Sequence, residues 1–134
     1  MFLTELKNTQ KELFLDLCIH LSMSDGSFVE VEKNTILQMC KEMEIHERFT
    51  PIKNFDDALV QLSEDATIRE KRIILLEVGG VVLADGVFSP EEENAMKKIA
   101  DSLKIDYLQC EKVISMVRDL YEVYSKIGLF LSSK

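Results

Sequence analysis

Apolar residues recur along this chain at spacings of three and four and nowhere settle into the alternation of a half-buried strand, which predicts an all-helical fold. Thr4 to about Met23 reads as a first helix. Leu13, Leu17 and Leu21 form its stripe, with Leu6, Phe14 and Cys18 beside it, and Ser24-Asp25-Gly26 stops it because Gly tolerates the backbone angles that end a helix. A second helix is predicted from about Val29 to Met43, with Ile36, Met39, Cys40 and Met43 on its apolar face. Glu44 to Lys53, containing Pro51, is the connector, and Asn54 caps a short third helix through Leu62. Thr67-Ile68-Arg69-Glu70 has the form of a capping box and opens the most apolar helix, about 68–84. Ser89-Pro90-Glu91-Glu92 starts a fifth helix, with Pro where no amide donor is needed and acidic residues at the positive end of the helix dipole. It ends near Leu103. Asp106 begins a sixth that reaches Tyr124 or beyond, and Ile127-Gly128-Leu129-Phe130-Leu131 is expected to dock on the core as an apolar tail.

The pattern repeats. Residues 11–45 laid over 71–105 give eight identities: Lys11/Lys71, Leu15/Leu75, Asp25/Asp85, Gly26/Gly86, Phe28/Phe88, Glu32/Glu92, Asn34/Asn94 and Ile45/Ile105. Average residue usage supplies roughly two or three by chance over such a length. Each copy is a helix, an Asp-Gly corner and a second helix, a hairpin unable to bury its apolar face alone. The chain is therefore expected to be one domain, residues 1–134: an all-α bundle of about six or seven helices built from two pseudo-twofold-related hairpins. The halves are expected at about 4–53 and 54–125, with the tail at 126–134. Gly79-Gly80, inside a helix at a cost of about 1 kcal/mol each relative to Ala, signals close passage of another helix, expected to be the first.

A chain of 134 residues buries roughly 68% of its unfolded surface on folding, enough for a core without staples. Its 16 basic and 24 acidic side chains leave a net charge of -8, which opposes nucleic acid and anionic membrane surfaces and favours a cation or a basic partner. Cys18, Cys40 and Cys110 lack metal or disulfide spacing and read as reduced thiols of a cytoplasmic protein. The opening Met1-Phe2-Leu3-Thr4-Glu5-Leu6-Lys7 breaks its apolar start with charge, which argues against a secretory leader. The longest apolar stretch, Ile73 to Ala84, contains Glu77 and is too short to cross a bilayer.

The corners Asp25-Gly26-Ser27-Phe28-Val29-Glu30-Val31-Glu32 and Asp85-Gly86-Val87-Phe88-Ser89-Pro90-Glu91-Glu92 match the second half of an EF-hand loop, where Gly turns the chain and the last Glu closes the site. The first half does not match, since Leu21, Met23, Val81 and Leu83 stand where oxygen ligands are needed. Asp25, Glu32, Asp85 and Glu92 are thus candidate ligands for a weakly held divalent cation, against a structural alternative in which the carboxylates cap turns and helices, the glycines take the turn angles and the phenylalanines plug the core. Glu77, the sole charge in its apolar helix, is a further candidate, read as a carboxylate at the rim of the core or paired with a nearby base. Asp16 and His20, one turn apart, read as a solvent-facing pair. Tyr107, Tyr121 and Tyr124 read as core or interface residues with polar tips. No Gly-x-Ser-x-Gly, phosphate loop or His-Glu-x-x-His occurs.

The paired corners, each preceded by an apolar helix ending in Met23-Ser24 or Leu83-Ala84 and followed seven positions on by Glu, resemble the Ala-Asp-Gly repeats of TerB-like proteins. That family includes bacterial tellurite-resistance TerB and the N-terminal region of DjlA-type co-chaperones. The resemblance covers roughly residues 10–125 and implies a pseudo-twofold helical bundle, a cytoplasmic and often membrane-associated setting, and a role in metal-linked stress response or as an interaction module. Carried onto matching positions, it marks Asp25, Glu32, Asp85 and Glu92. Ser24 departs from the family's Ala, and no His-Pro-Asp of a J-domain is present. The expected function is a non-catalytic TerB-like interaction or stress-response module with a protein partner, linked to metal or tellurite stress. The alternatives are a divalent-cation-binding protein using the two corners and an enzyme of unrecognised type centred on Glu77.

Overall fold

The computed structural model describes residues 1–23, 30–84 and 86–133, with residues 30–32 described as helical backbone alone. After a 3-10 turn at Leu3–Glu5 the described residues form six helices: α1 (Asn8–Ser22), α2 (Glu30–Met43), α3 (Phe55–Asp65), α4 (Ile68–Val82), α5 (Pro90–Ser102) and α6 (Tyr107–Ser132). No strand occurs among the described residues. The first helix starts later than the apolar stripe suggests. Lys7 adopts an extended backbone, and its N–H donates to Gln10 Oε1 at 2.8 Å, so Gln10 caps α1 while the preceding turn tucks Leu3 and Leu6 into the core.

The duplication is visible in the backbone. The equivalent caps Lys7 and Thr67 each donate their N–H to the side chain three residues on, Gln10 and Glu70, both at 2.8 Å. At the far ends of α1 and α4, Met23 and Leu83 share φ −99°, and each donates its N–H four residues back at 3.1 Å. α2 and α5 both close through a left-handed residue, Glu44 and Lys104, each at φ 58°. Ile45 N–H then bonds the Cys40 carbonyl, as Ile105 N–H bonds that of Ala100. Most directly, Gln10 Nε2 donates to Glu70 Oε1 at 3.2 Å across 60 residues of sequence. This contact between repeat equivalents sets the two halves directly against each other, and both residues of the pair are buried.

Packing follows the same plan. α1 packs on α2 and α3, and α4 packs on α5 and α6, while α1 and α4 cross at the centre of one shared core. Phe14, Leu15, Leu17, Ile74, Leu75 and Met96 are among its largest wholly enclosed side chains. Two features break the symmetry. Residues 44–54 join α2 to α3, whereas only 103–106 join α5 to α6; and α6 has 26 residues where α3 has 11. The extra fifteen extend α6 by about 22 Å.

Three sequence expectations change here. Gly79 faces α6, not α1: a Cβ on it would stand 3.3 Å from Val113 Cγ1 and 3.4 Å from Val117 Cγ2. Asp16 is not solvent-facing but only 2% exposed, because the connector folds over it. The apolar tail does not dock. It continues α6 past the end of α4, where no described element lies beneath it, and Phe130 is 79% exposed.

Candidate functional site

Of the four corner carboxylates, Asp25 and Asp85 and the Glu32 side chain lie outside the described residues. Glu92 is half-buried at the start of α5, where its Oε1 accepts the Ser89 N–H at 3.0 Å while its own N–H donates to Ser89 Oγ at 3.1 Å. The carboxylate is a helix cap, formed by Ser-Pro-Glu-Glu as the sequence predicts. Gly86 has φ +79°, the left-handed angle that a turn into α5 requires and that Gly adopts without cost. Phe88 packs against the core edge beneath the guanidinium of Arg118, whose carbon lies 5.8 Å from the ring centroid. Among the described residues no three His, Cys, Asp or Glu side chains gather closely enough to hold a metal ion.

Glu77 sits at the core rim facing the start of the chain. Its Oε1 accepts the Met1 ammonium at 2.9 Å and the Phe2 N–H at 2.8 Å, and Glu42 accepts the same ammonium at 3.1 Å and the Leu3 N–H at 3.0 Å. Burial works against the ammonium, but hydrogen bonds and charge from Glu77 and Glu42 outweigh it and raise its pKa above the ordinary 8.0. The two carboxylates therefore clamp the chain's first residues across α2 and α4, and the base expected beside Glu77 is this amine. The thiols of Cys18, Cys40 and Cys110 are buried, and burial raises the pKa of each, most strongly at Cys18, so they behave as apolar core residues.

Asp16 holds a second polar centre. Its Oδ1 takes Arg48 Nη1 at 2.6 Å and the Ile52 N–H at 2.9 Å, and its Oδ2 takes the Lys53 N–H at 3.1 Å. Arg48 also donates to the Glu12 carbonyl at 3.1 Å, and His20 Nε2 lies 2.9 Å from the Lys53 carbonyl oxygen. This network fastens the connector onto the outer face of α1.

The least expected surface is α6. Tyr121 ties α6 to the body, its hydroxyl donating to the Gly80 carbonyl. Beyond it Val123, Tyr124, Ile127, Phe130 and Leu131 lie on one side of the helix and are exposed by 47–79%. The sequence carried a signal for this: Val113, Leu120 and Ile127 recur every seven residues, as do Met116, Val123 and Phe130, the spacing of a coiled-coil seam. Along the same side an apolar groove of about 250 Å3 opens between α4 and α6, lined by Leu75, Leu76, Ile105, Val113 and Met116 and rimmed by Arg72 and Lys112. No helix among the described residues is long and apolar enough to cross a membrane. Comparison of the chain with family models, with curated proteins and with solved structures returns no match.

Proposed function

We propose that this chain is a non-catalytic interaction module of TerB-like type, acting in the cytoplasm in a response linked to metal or tellurite stress, with the outer face of α6 as its docking surface. The observation that carries the reading is the row of exposed apolar side chains from Met116 to Leu131. A contiguous apolar face of several hundred Å2 in water marks an interaction site. The TerB-like part is supported by the paired Asp-Gly corners and by the matching geometry of the two halves around Gln10 and Glu70.

The test is capture from source cells grown under tellurite or metal stress, using the immobilised chain and its Phe130→Asp variant. The reading predicts a protein retained by the first and lost by the second; equal retention would contradict it. A thermal titration with calcium, manganese and zinc separates the cation alternative, since a ligand bound only by the folded state must raise the midpoint. The interaction reading predicts no rise at millimolar metal. A rise abolished by Glu92→Gln would put the corners in its place.

A further inference from the structure

The internal symmetry identifies what the groove between α4 and α6 lacks. Its α4 residues Arg72 and Leu76 are the repeat equivalents of Glu12 and Asp16 on α1. In the first half the connector reaches both positions but covers only the second: Arg48 bonds Glu12 and Asp16, the Ile52 and Lys53 amides close over the Asp16 carboxylate, and Glu12 stays at the edge of an open pocket. In the second half the short link at 103–106 has nothing to lay there, and an apolar Leu76 replaces the acid. The first half covers its Asp16 position with its own connector, while the second leaves the equivalent Leu76 on an open groove and carries an uncovered apolar helix end.

We propose that the occupant is the C-terminal part of α6 from a second copy of this chain, each copy laying residues 123–131 antiparallel along the partner's α6 and into its α4–α6 groove. This deepens the interaction reading above, and rests on it, by naming the partner. Three observations converge. The first is area: Met116, Val123, Tyr124, Ile127, Phe130 and Leu131, each 47–79% exposed, present on the order of 700 Å2, near the ~800 Å2 per partner of a stable interface. The second is register. Packing the Leu120 position of one helix against Val123 of the other sets Ile127 on Met116 and Phe130 on Val113, the α6 residues that line the groove. The third is charge. Asp119 and Lys126 flank the seam one heptad apart, so antiparallel packing brings Lys126 of each copy beside Asp119 of the other. Parallel packing would set them beside Tyr124 and Leu131 instead. Because each copy offers both groove and filler, the contact closes on itself as an isologous twofold pair.

Sedimentation equilibrium of the full chain tests this. The proposal predicts a mass of twice 15.4 kDa at micromolar concentration. Phe130→Asp, at an exposed position and with an unchanged helical circular dichroism spectrum, should raise the dissociation constant by more than about thirtyfold. Asp119→Lys and Lys126→Asp should each weaken association, and the double variant should restore it to within about threefold. A chain that stays monomeric overturns the proposal, as does a dimer indifferent to Phe130→Asp, and failure of the double variant to recover overturns the antiparallel arrangement. A monomer that floats with phosphatidylcholine vesicles through Phe130 assigns the face to a lipid surface and equally overturns it. A monomer whose capture of another protein depends on Phe130 overturns the second copy as occupant while sparing the interaction reading; a monomer whose capture ignores Phe130 removes both.

Discussion

Two adjacent glycines in α4 show how much one methyl group depends on its neighbours. At Gly79 a Cβ meets two valine methyls of α6 at 3.3 and 3.4 Å, whereas at Gly80 it meets only the Tyr121 hydroxyl oxygen, at an ordinary 3.5 Å. Ala at either position gains roughly 0.5–1 kcal/mol of helix propensity. Urea denaturation should therefore find Gly80→Ala stabilised by about that amount and Gly79→Ala near neutral, while Gly79→Leu, which forces α6 away, loses about 2–3 kcal/mol. Glu70 is a residue through which acid acts on the core. The Thr67 backbone N–H lowers its pKa below the usual 4.5, burial opposes this, and Gln10 and the Thr67 side chain add to the lowering. A carboxyl depressed by folding contributes stability above its unfolded pKa and loses it as pH falls through the folded one. The urea midpoint should accordingly drop below about pH 4.5, and Glu70→Gln should flatten that drop while lowering stability at neutral pH.

Helix starts were legible because capping is local chemistry: Asn54, Thr67-x-x-Glu70, Ser89-Pro90 and Asp106 all cap as their side chains require, with the Asn54, Thr67, Ser89 and Asp106 oxygens each accepting an amide. Lys7 was missed since a lysine contributes no cap oxygen and Gln10 supplies it instead. Two outcomes turned on tertiary contacts that periodicity does not encode: which helix passes Gly79, and whether the 127–131 stretch finds a surface to cover. The connector belongs to the same class. Nothing in the spacing of Asp16 and His20 announces that residues 48–53 fold over them, although the acid on an otherwise apolar helix face was the available clue. Asp16→Ala leaves Arg48, only 18% exposed, without its main partner and two amides unsatisfied. It should cost about 3 kcal/mol in urea denaturation. The helical signal at 222 nm should change little, because the segment released is not helical.

For the whole molecule, the doubled hairpin is the organising fact, and the departures from it are what distinguish one face from the others. The offset of 60 residues was readable from eight identities and recurs in caps, left-handed helix ends and the Gln10–Glu70 contact. The candidate acidic site was legible only as a motif; the one carboxylate of it whose surroundings are described, Glu92, is engaged as a cap. The contact surface proposed here arises from asymmetry instead, a short link leaving a groove open and a long last helix leaving apolar side chains in water. Amide hydrogen exchange read as a function of protein concentration examines both ends of that contact at once. The account predicts that residues 123–131 and the groove segment 72–76 gain protection together as concentration rises, and that neither does so in Phe130→Asp. Exchange in both segments that is independent of concentration, or protection that persists in the variant, would contradict it.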